Sequence, residues 1–270
     1  MGGIMSSESD PWPVDPETAL PRLVNEQGGR LYSLGLKFCG NAAEAEDLVQ
    51  ETFMLAYQNW ESFEGRSKVS TWLYSIAARV CQKMHRKRAG EPDQIGSLEE
   101  LLPFGEPRIA QIASKMDPAD IQMIHIESRE DLERAIAKMP QDFRMPLVLK
   151  DIIGLTVPEI ASVMGMEEGT VKSRVHRARL KLRKLVDDRL PRTPDDVPPA
   201  AYPIQVCLDL LEAKQRSLDL NEEFSSEVIC QRCESVFASM DLAQDICQSL
   251  AEDHIPDGLN ERLRKALEEL

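Results

Sequence analysis

Aromatic residues make up 5% of this 270-residue chain, and runs of β-branched residues are scarce, which argues against a β-sandwich or barrel. There are four histidines, no glycine-rich phosphate loop and no nucleophile pattern, so the sequence offers no catalytic constellation and reads as something other than an enzyme. No stretch approaches the roughly 18 uninterrupted apolar residues of a membrane span. Met1 to Pro13 lacks the basic stretch and apolar core of a secretory signal, and the expected location is the cytoplasm. What is present is 42% hydrophobic and 29% charged, ordinary for a globular chain of about two domains and a small third. The abundance of Ala, Leu, Glu, Lys, Arg and Met favours helices, and the expected fold class is all-α.

A net charge of -14 speaks against a nucleic-acid partner until it is divided along the chain. Thr193 to Leu270 holds 17 acidic and 6 basic residues, leaving 29 acids and 26 bases in the first 192. Two basic patches stand in that first part. One is Arg79, Lys83, Arg86, Lys87 and Arg88, with no acid between them; the other holds seven bases between Glu168 and Lys184. Two cationic surfaces and one acidic segment are the electrostatic layout to be explained.

Proline and glycine punctuation divides the chain further. A helical block spans 16–89, and a linker with scattered prolines and glycines spans 90–128, with one short helix expected near Arg108 to Met116. A second helical block spans 129–190. Five prolines in thirteen residues make 191–203 a stiff extended spacer. The acidic block, 204–270, holds four of the six cysteines. Ala45, Leu48, Val49, Phe53, Ala56 and Trp60 form one helical stripe, with Asp47, Gln50 and Glu51 off it. A second helix, Ser70 to Arg88, packs Trp72, Leu73, Ile76, Ala77 and Val80 and then becomes basic.

The sharpest local signal runs from Leu155 to Arg179. Thr156 caps a short helix with Pro158 in its first turn, and Ile160, Ala161 and Met164 supply its buried side. Gly165 permits the left-handed turn that ends it. In the next helix Val171, Val175, Ala178 and Leu182 recur on one face, so Lys172, Ser173, His176 and Arg177 project from the other. Such a face suits the major groove, where Arg and Lys pair with guanine edges and further cations neutralise phosphates. The residues therefore point to a helix-turn-helix that binds DNA.

These features resemble the extracytoplasmic-function sigma factors of bacterial RNA polymerase. The likeness rests on Ala45-Glu46-Asp47-Leu48-Val49-Gln50-Glu51-Thr52-Phe53, Phe63-Glu64-Gly65-Arg66-Ser67 and Thr71 to Ala77, then on Met139 to Arg144 with the helix-turn-helix. An Asn and an Asp common along the family's basic helix are Arg79 and Lys83 here. The resemblance implies that Asp47, Gln50 and Glu51 dock on the polymerase β′ clamp helices, and that the second block meets the β flap. It implies that Phe63, Gly65, Arg66, Ser67 and Lys68 capture an unstacked base at the −10 element, while Arg79, Lys83, Arg86 and Arg88 hold nearby phosphates. Lys172, Ser173, His176 and Arg177 would read the −35 element, with Arg174 and Arg179 on phosphates. The partners so implied are core polymerase and promoter DNA.

The acidic tail resembles a zinc-associated anti-sigma domain more weakly. Cys230-Gln231-Arg232-Cys233, Cys207 and Cys247 could hold zinc or a cuprous ion, with His254 as an alternative ligand. A reversible dithiol and a set of unligated thiols stay open beside that reading. Its charge suggests that the tail folds back on the basic helices as a built-in inhibitor, while the opposite sign, a tail required for activity, stays open, with a separate anti-sigma factor as another partner. Two other functions stand as alternatives: a helix-turn-helix regulator acting without polymerase, and a metal or redox sensor acting by protein contacts. The stripe from Ala45 to Phe53, Trp72 and the basic helix argue against the first, because a repressor needs no melting domain.

Overall fold

Asp15 accepts a hydrogen bond from the Thr18 amide at 3.1 Å and Pro16 fills the first turn, which starts α1 (Pro16–Cys39); Gly40, at φ 80°, ends it. The structure is a computed structural model and describes residues 12, 15–65, 67–85, 95–96, 98–102, 106–111, 116–251 and 255–268. Asn41 caps α2 (Ala42–Gln58), and its apolar stripe lies buried as the spacing predicts, with Trp60 opening a 3-10 turn. The basic helix is α3 (Val69–His85). Its expected extension through Arg86 to Arg88 lies outside the described residues.

The expected linker, 90–128, is shorter than its composition suggests. A one-turn helix, α4 (Leu98–Leu101), comes first, and α5 (Pro118–Lys138) begins eleven residues before 129, capped by Asp117. Pro118 reads as punctuation, yet it stands at the first turn, where a missing N–H costs nothing. The helix expected near Arg108 to Met116 is replaced, over its described part, by extended backbone, with Ala110 bridging antiparallel to Arg192. That partner is some eighty residues away, beyond the reach of local propensity. Among the described residues this isolated bridge is the one β pairing, and the all-α expectation holds.

The second block continues through α6 (Gln141–Leu147), a π-helical turn (Val148–Ile152), α7 (Val157–Met164) and α8 (Glu168–Arg189). The tail is α9 (Ile204–Leu220), α10 (Gln231–Ser249) and α11 (Asp257–Glu268). No helix among the described residues is long and apolar enough to cross a membrane.

One apolar interior joins the blocks that the sequence separates. It takes Leu34 and Phe38 from α1, Phe53 from α2, Leu132 and Ile136 from α5, Val171 and Val175 from α8, Ile246 and Leu250 from α10, and Leu259 and Leu263 from α11. Accordingly α3 packs on α7, and α11 packs on α1 and α2. A smaller cluster, with Leu180, Cys207, Leu210, Cys233 and Phe237, seats α9 and α10 beside α8. Close approach matters at Gly28 of α1, where a Cβ would stand 3.0 Å from the Ile255 side chain that precedes α11.

Because Ile246 is fully buried in the shared interior, Ile246→Ala is expected to cost about 2–5 kcal/mol. Of the three tryptophans, Trp60 and Trp72 lie in the first block, and Trp12, just before it, packs on Trp60. Their fluorescence and the far-UV dichroism should lose the same number of degrees on melting; a loss confined to the dichroism would refute a common core.

Candidate nucleic-acid interface

The helix-turn-helix forms as its residues dictate. Thr156 and Glu159 make a reciprocal capping box, with the Thr156 amide donating to the Glu159 carboxylate at 2.8 Å. Gly165 adopts φ 63° between the helices. Val171, Val175, Ala178 and Leu182 are buried, which fixes the rotation of α8. Ile160 is buried as expected, with Val157 and Val163, while Ala161 and Met164 are half-buried.

The outward face of α8 is divided. Lys172 and Ser173 are exposed. Arg174 pairs with Asp142 at the start of α6, at 2.9 Å. Arg177 lies 5.5 Å over the Phe143 ring and donates to the Gly96 carbonyl of the connector. His176 meets the Asp219 carboxylate of α9 at 3.0 Å, and Gln215 of α9 donates to the His176 carbonyl at 3.2 Å. The helix expected to face DNA thus faces the tail and the connector along part of its length.

Arg179 corrects the sequence expectation of a phosphate contact. It is 5% exposed, donating to both Asp151 oxygens at 2.8 and 2.6 Å and to Asp219 at 2.7 Å. Burial opposes its charge, but the two carboxylates outweigh that and hold its pKa above the ordinary value. Burial likewise works against Asp219, while the hydrogen bond from His176 and the field of Arg179 hold its pKa below the usual carboxylate range. Asp151, Gln215 and Asp219 were missed by sequence reasoning. Gln215 and Asp219, four residues apart on one helical face of an acidic segment, were the available signal; Asp151, in a π-helical turn, gave none.

In the first block Asp47, Gln50 and Glu51 are exposed on α2, and their neighbour Glu46 is paired with Arg262 of α11. A cleft of about 260 Å³ lies between α2 and α3, lined by Glu51, Asn59, Ser62, Trp72, Arg79 and Lys83 among others. It brings an expected polymerase contact beside two expected DNA contacts. Phe63 packs against Trp60 and Trp72, at 5.7 and 5.4 Å between ring centres. Gly65, at φ 69°, turns the loop, with Ser67 and Lys68 exposed. Arg66, Arg86 and Arg88 lie outside the described residues.

The expected cysteine tetrad does not assemble. Cys207, Cys230 and Cys233 come together, with the Cys233 thiol in hydrogen-bond contact with the other two. Cys247 is buried in the shared core instead, near Asp151, Arg179 and Lys37, because its place in α10 falls on the face turned to the second block. His254 lies outside the described residues. Among the described residues no group of three or more His, Cys, Asp or Glu side chains is arranged to hold a metal ion, and the three thiols stand together apart from Cys247. Cys230 stands at the N-terminus of α10. Burial raises its pKa, but the amides of Cys233, Ala201 and Arg232 more than compensate and the net shift is downward. Burial pushes Cys233 up, helped by its two neighbours, and pushes Cys247 up as well.

Comparison with known proteins places both blocks. The family model "Sigma-70 region 2" matches residues 23–91, and "Sigma-70, region 4" matches residues 129–182. The chain is 34% identical over 172 residues to the ECF RNA polymerase sigma factor SigW of Bacillus subtilis, covering 64% of this chain and 91% of that one. It is 36% identical to the ECF RNA polymerase sigma factor EcfG of Rhodopseudomonas palustris, covering 62% and 85%. Among solved structures, the sigma factor RpoE in complex with the anti-sigma factor NepR from Bartonella quintana is 26% identical, covering 61% of this chain and 94% of that one, with a TM-score of 0.40. Neither family model reaches the tail.

The thiols make a direct test of the tail's geometry. With iodoacetamide near pH 7.5, Cys230 should be alkylated at least about tenfold faster than Cys207, Cys233 or Cys247 in the native chain, as its half-buried helix-terminal position and lowered pKa require. Peptide mass spectrometry reads the order, and equal labelling of Cys247 would overturn the placement.

Proposed function

Because the chain belongs to the extracytoplasmic-function RNA polymerase sigma factors, we propose that it brings core polymerase to −35 and −10 promoter elements and that its own tail is a built-in anti-sigma element. The carrying observation is the contact of Asp219 and Gln215, on α9, with His176 and Arg179, on α8. On this reading Lys172, Ser173, His176 and Arg177 read the −35 element and the loop 63–68 takes the −10 base. Arg79 and Lys83 hold phosphates, and Asp47, Gln50 and Glu51 dock on the clamp helices. No chemistry is required of this chain; it positions DNA for the polymerase.

Dimensions support an inhibited closed state. Elements named −35 and −10 lie about 25 base pairs apart, or about 85 Å at 3.4 Å per step. A compact chain of this length has a radius of gyration of about 18 Å. Blocks that share one core do not reach both elements, so activity requires them to part and α9 to leave α8. The thiols Cys207, Cys230 and Cys233 are the site at which oxidation would shift that balance, since joining two of them changes the first turns of α9 and α10.

Run-off transcription with purified core polymerase tests both halves. Truncation is unsuitable, because α10 and α11 contribute to the common interior. The full chain and its Asp219→Ala, Gln215→Ala variant should both transcribe, the variant at least about fivefold more at limiting concentration, the scale of an ordinary regulatory coupling. Unchanged or weaker transcription by the variant refutes autoinhibition, and failure of both chains to bind core polymerase refutes the sigma reading. Oxidant should raise transcription by the native chain and leave Cys230→Ser, Cys233→Ser unaffected; stoichiometric zinc or copper lost in that variant would replace oxidation by metal capture.

A further inference from the structure

We propose that Arg232 is a clasp that binds the connector between the two DNA-reading blocks to the spacer of the tail, and so keeps those blocks from separating. The inference rests on the sigma reading for its consequence, although the clasp itself is a matter of geometry. Arg232 is 6% exposed. Its guanidinium donates to the carbonyls of Glu106 at 2.5 Å, Val197 at 2.9 Å and Pro198 at 2.9 Å. These acceptors belong to two segments about ninety residues apart in sequence, and one side chain satisfies both.

The two segments also pair with each other. The Gln111 amide donates to Pro191 at 2.7 Å, Thr193 to Ile109 at 2.9 Å and Val197 to Pro107 at 2.9 Å. Arg192 reaches Glu106 at 3.3 Å. Such a two-stranded ribbon is marginal by itself. Here α10 covers it, with Arg232 on the carbonyls and Ser235 donating to the Ala110 carbonyl at 2.9 Å. Further up the connector, α8 holds it as well: Arg177 binds the Gly96 carbonyl, Lys184 that of Glu100 and Arg183 that of Leu101.

Reach decides the consequence. About 32 residues separate His85 from Pro118, and at about 3.3 Å each they could extend to about 105 Å. Two elements about 85 Å apart, less about 28 Å for the blocks themselves, leave a gap of about 57 Å. With Gly96 to Gln111 fixed to the second block, the ten residues 86–95 remain, reaching about 33 Å. That is too short. Opening the ribbon, with release of Gly96, Glu100 and Leu101 from α8, restores the span, and the residue that closes the ribbon sits between Cys230 and Cys233, in the first turn of α10. A change at either thiol that reshapes this turn moves the root of the clasp, which links the thiol site to the connector without any contact to DNA.

Amide hydrogen exchange on the full chain, with neither polymerase nor DNA present, tests the clasp. In Arg232→Lys, which keeps a cation but loses the fork, Gln111, Thr193 and Val197 should exchange at least about tenfold faster, while amides within α1 and α8 keep their protection. Arg232→Ala should do the same, and if it fails to fold the lysine variant still carries the test. Unchanged exchange at the three amides overturns the proposal. In transcription, Arg232→Lys should exceed the native chain several-fold with Asp219 intact. Faster exchange without any gain, in an assay where Asp219→Ala, Gln215→Ala does gain, overturns the proposed restraint and leaves autoinhibition by α9 standing. If no chain transcribes, the sigma reading fails, while exchange still judges the clasp.

Discussion

The closed arrangement turns on a single buried cation held by unequal partners. Arg179 donates two hydrogen bonds to Asp151, inside the helix-turn-helix block, and one to Asp219, in the tail. Removing the sole partner of a buried charge is strongly destabilising. Under the proposed autoinhibition that penalty is avoided, because the bidentate Asp151 pair does not depend on α9. The same geometry would let the tail add a specific contact and withdraw it without leaving an orphaned guanidinium.

What holds the tail in place is mostly apolar. Despite 17 acidic residues from Thr193 onward, the carboxylate that meets the cationic face of α8 from α9 is Asp219, and Lys172, Lys181 and Lys184 stay exposed. Lys214, a cation of the tail, is paired within the tail with Asp241. Ile246 and Leu250 of α10 and Leu259 and Leu263 of α11 supply the burial, a non-directional force roughly proportional to area. Asp219 and Gln215 then fix the register. Attraction between an acidic tail and a basic helix is therefore a poor description of a contact that is selective at two residues and hydrophobic elsewhere.

Local features were legible in the sequence to the extent that neighbours in the chain determine them. The stripe from Ala45 to Trp60, the box of Thr156 and Glu159, the turn at Gly165 and the buried face of α8 all depend on spacings within a few turns. The start of α5 is not legible in the sequence, because Pro118 fits a helix terminus as well as a loop. Nor does composition tell which face of α10 meets which core, so the separation of Cys247 from the other thiols is hidden in the sequence. Asp219 on Arg179, and Arg232 on Glu106, join residues 40 and 126 positions apart. No periodicity encodes such pairs.

The choice of acceptor suits a connector that, as proposed, is held and released. Arg177, Arg183 and Arg232 grip it through carbonyl oxygens, which every residue offers, so the grip makes no demand on the connector's side chains. Water can replace a carbonyl acceptor at a bounded net loss, since the net worth of a hydrogen bond to a charged group in folding is about 1.5–3 kcal/mol. The exception is Arg183, whose charge burial opposes, with Asp187 beside it acting the other way and the net pKa lowered. Two of its buried guanidinium nitrogens have no hydrogen-bond partner, so the proposed opening would readmit solvent to them. On that proposal, a clasp made of carbonyl contacts is held by its cover, α10, and not by its own strength, and it acts beside the apolar interior that the blocks share.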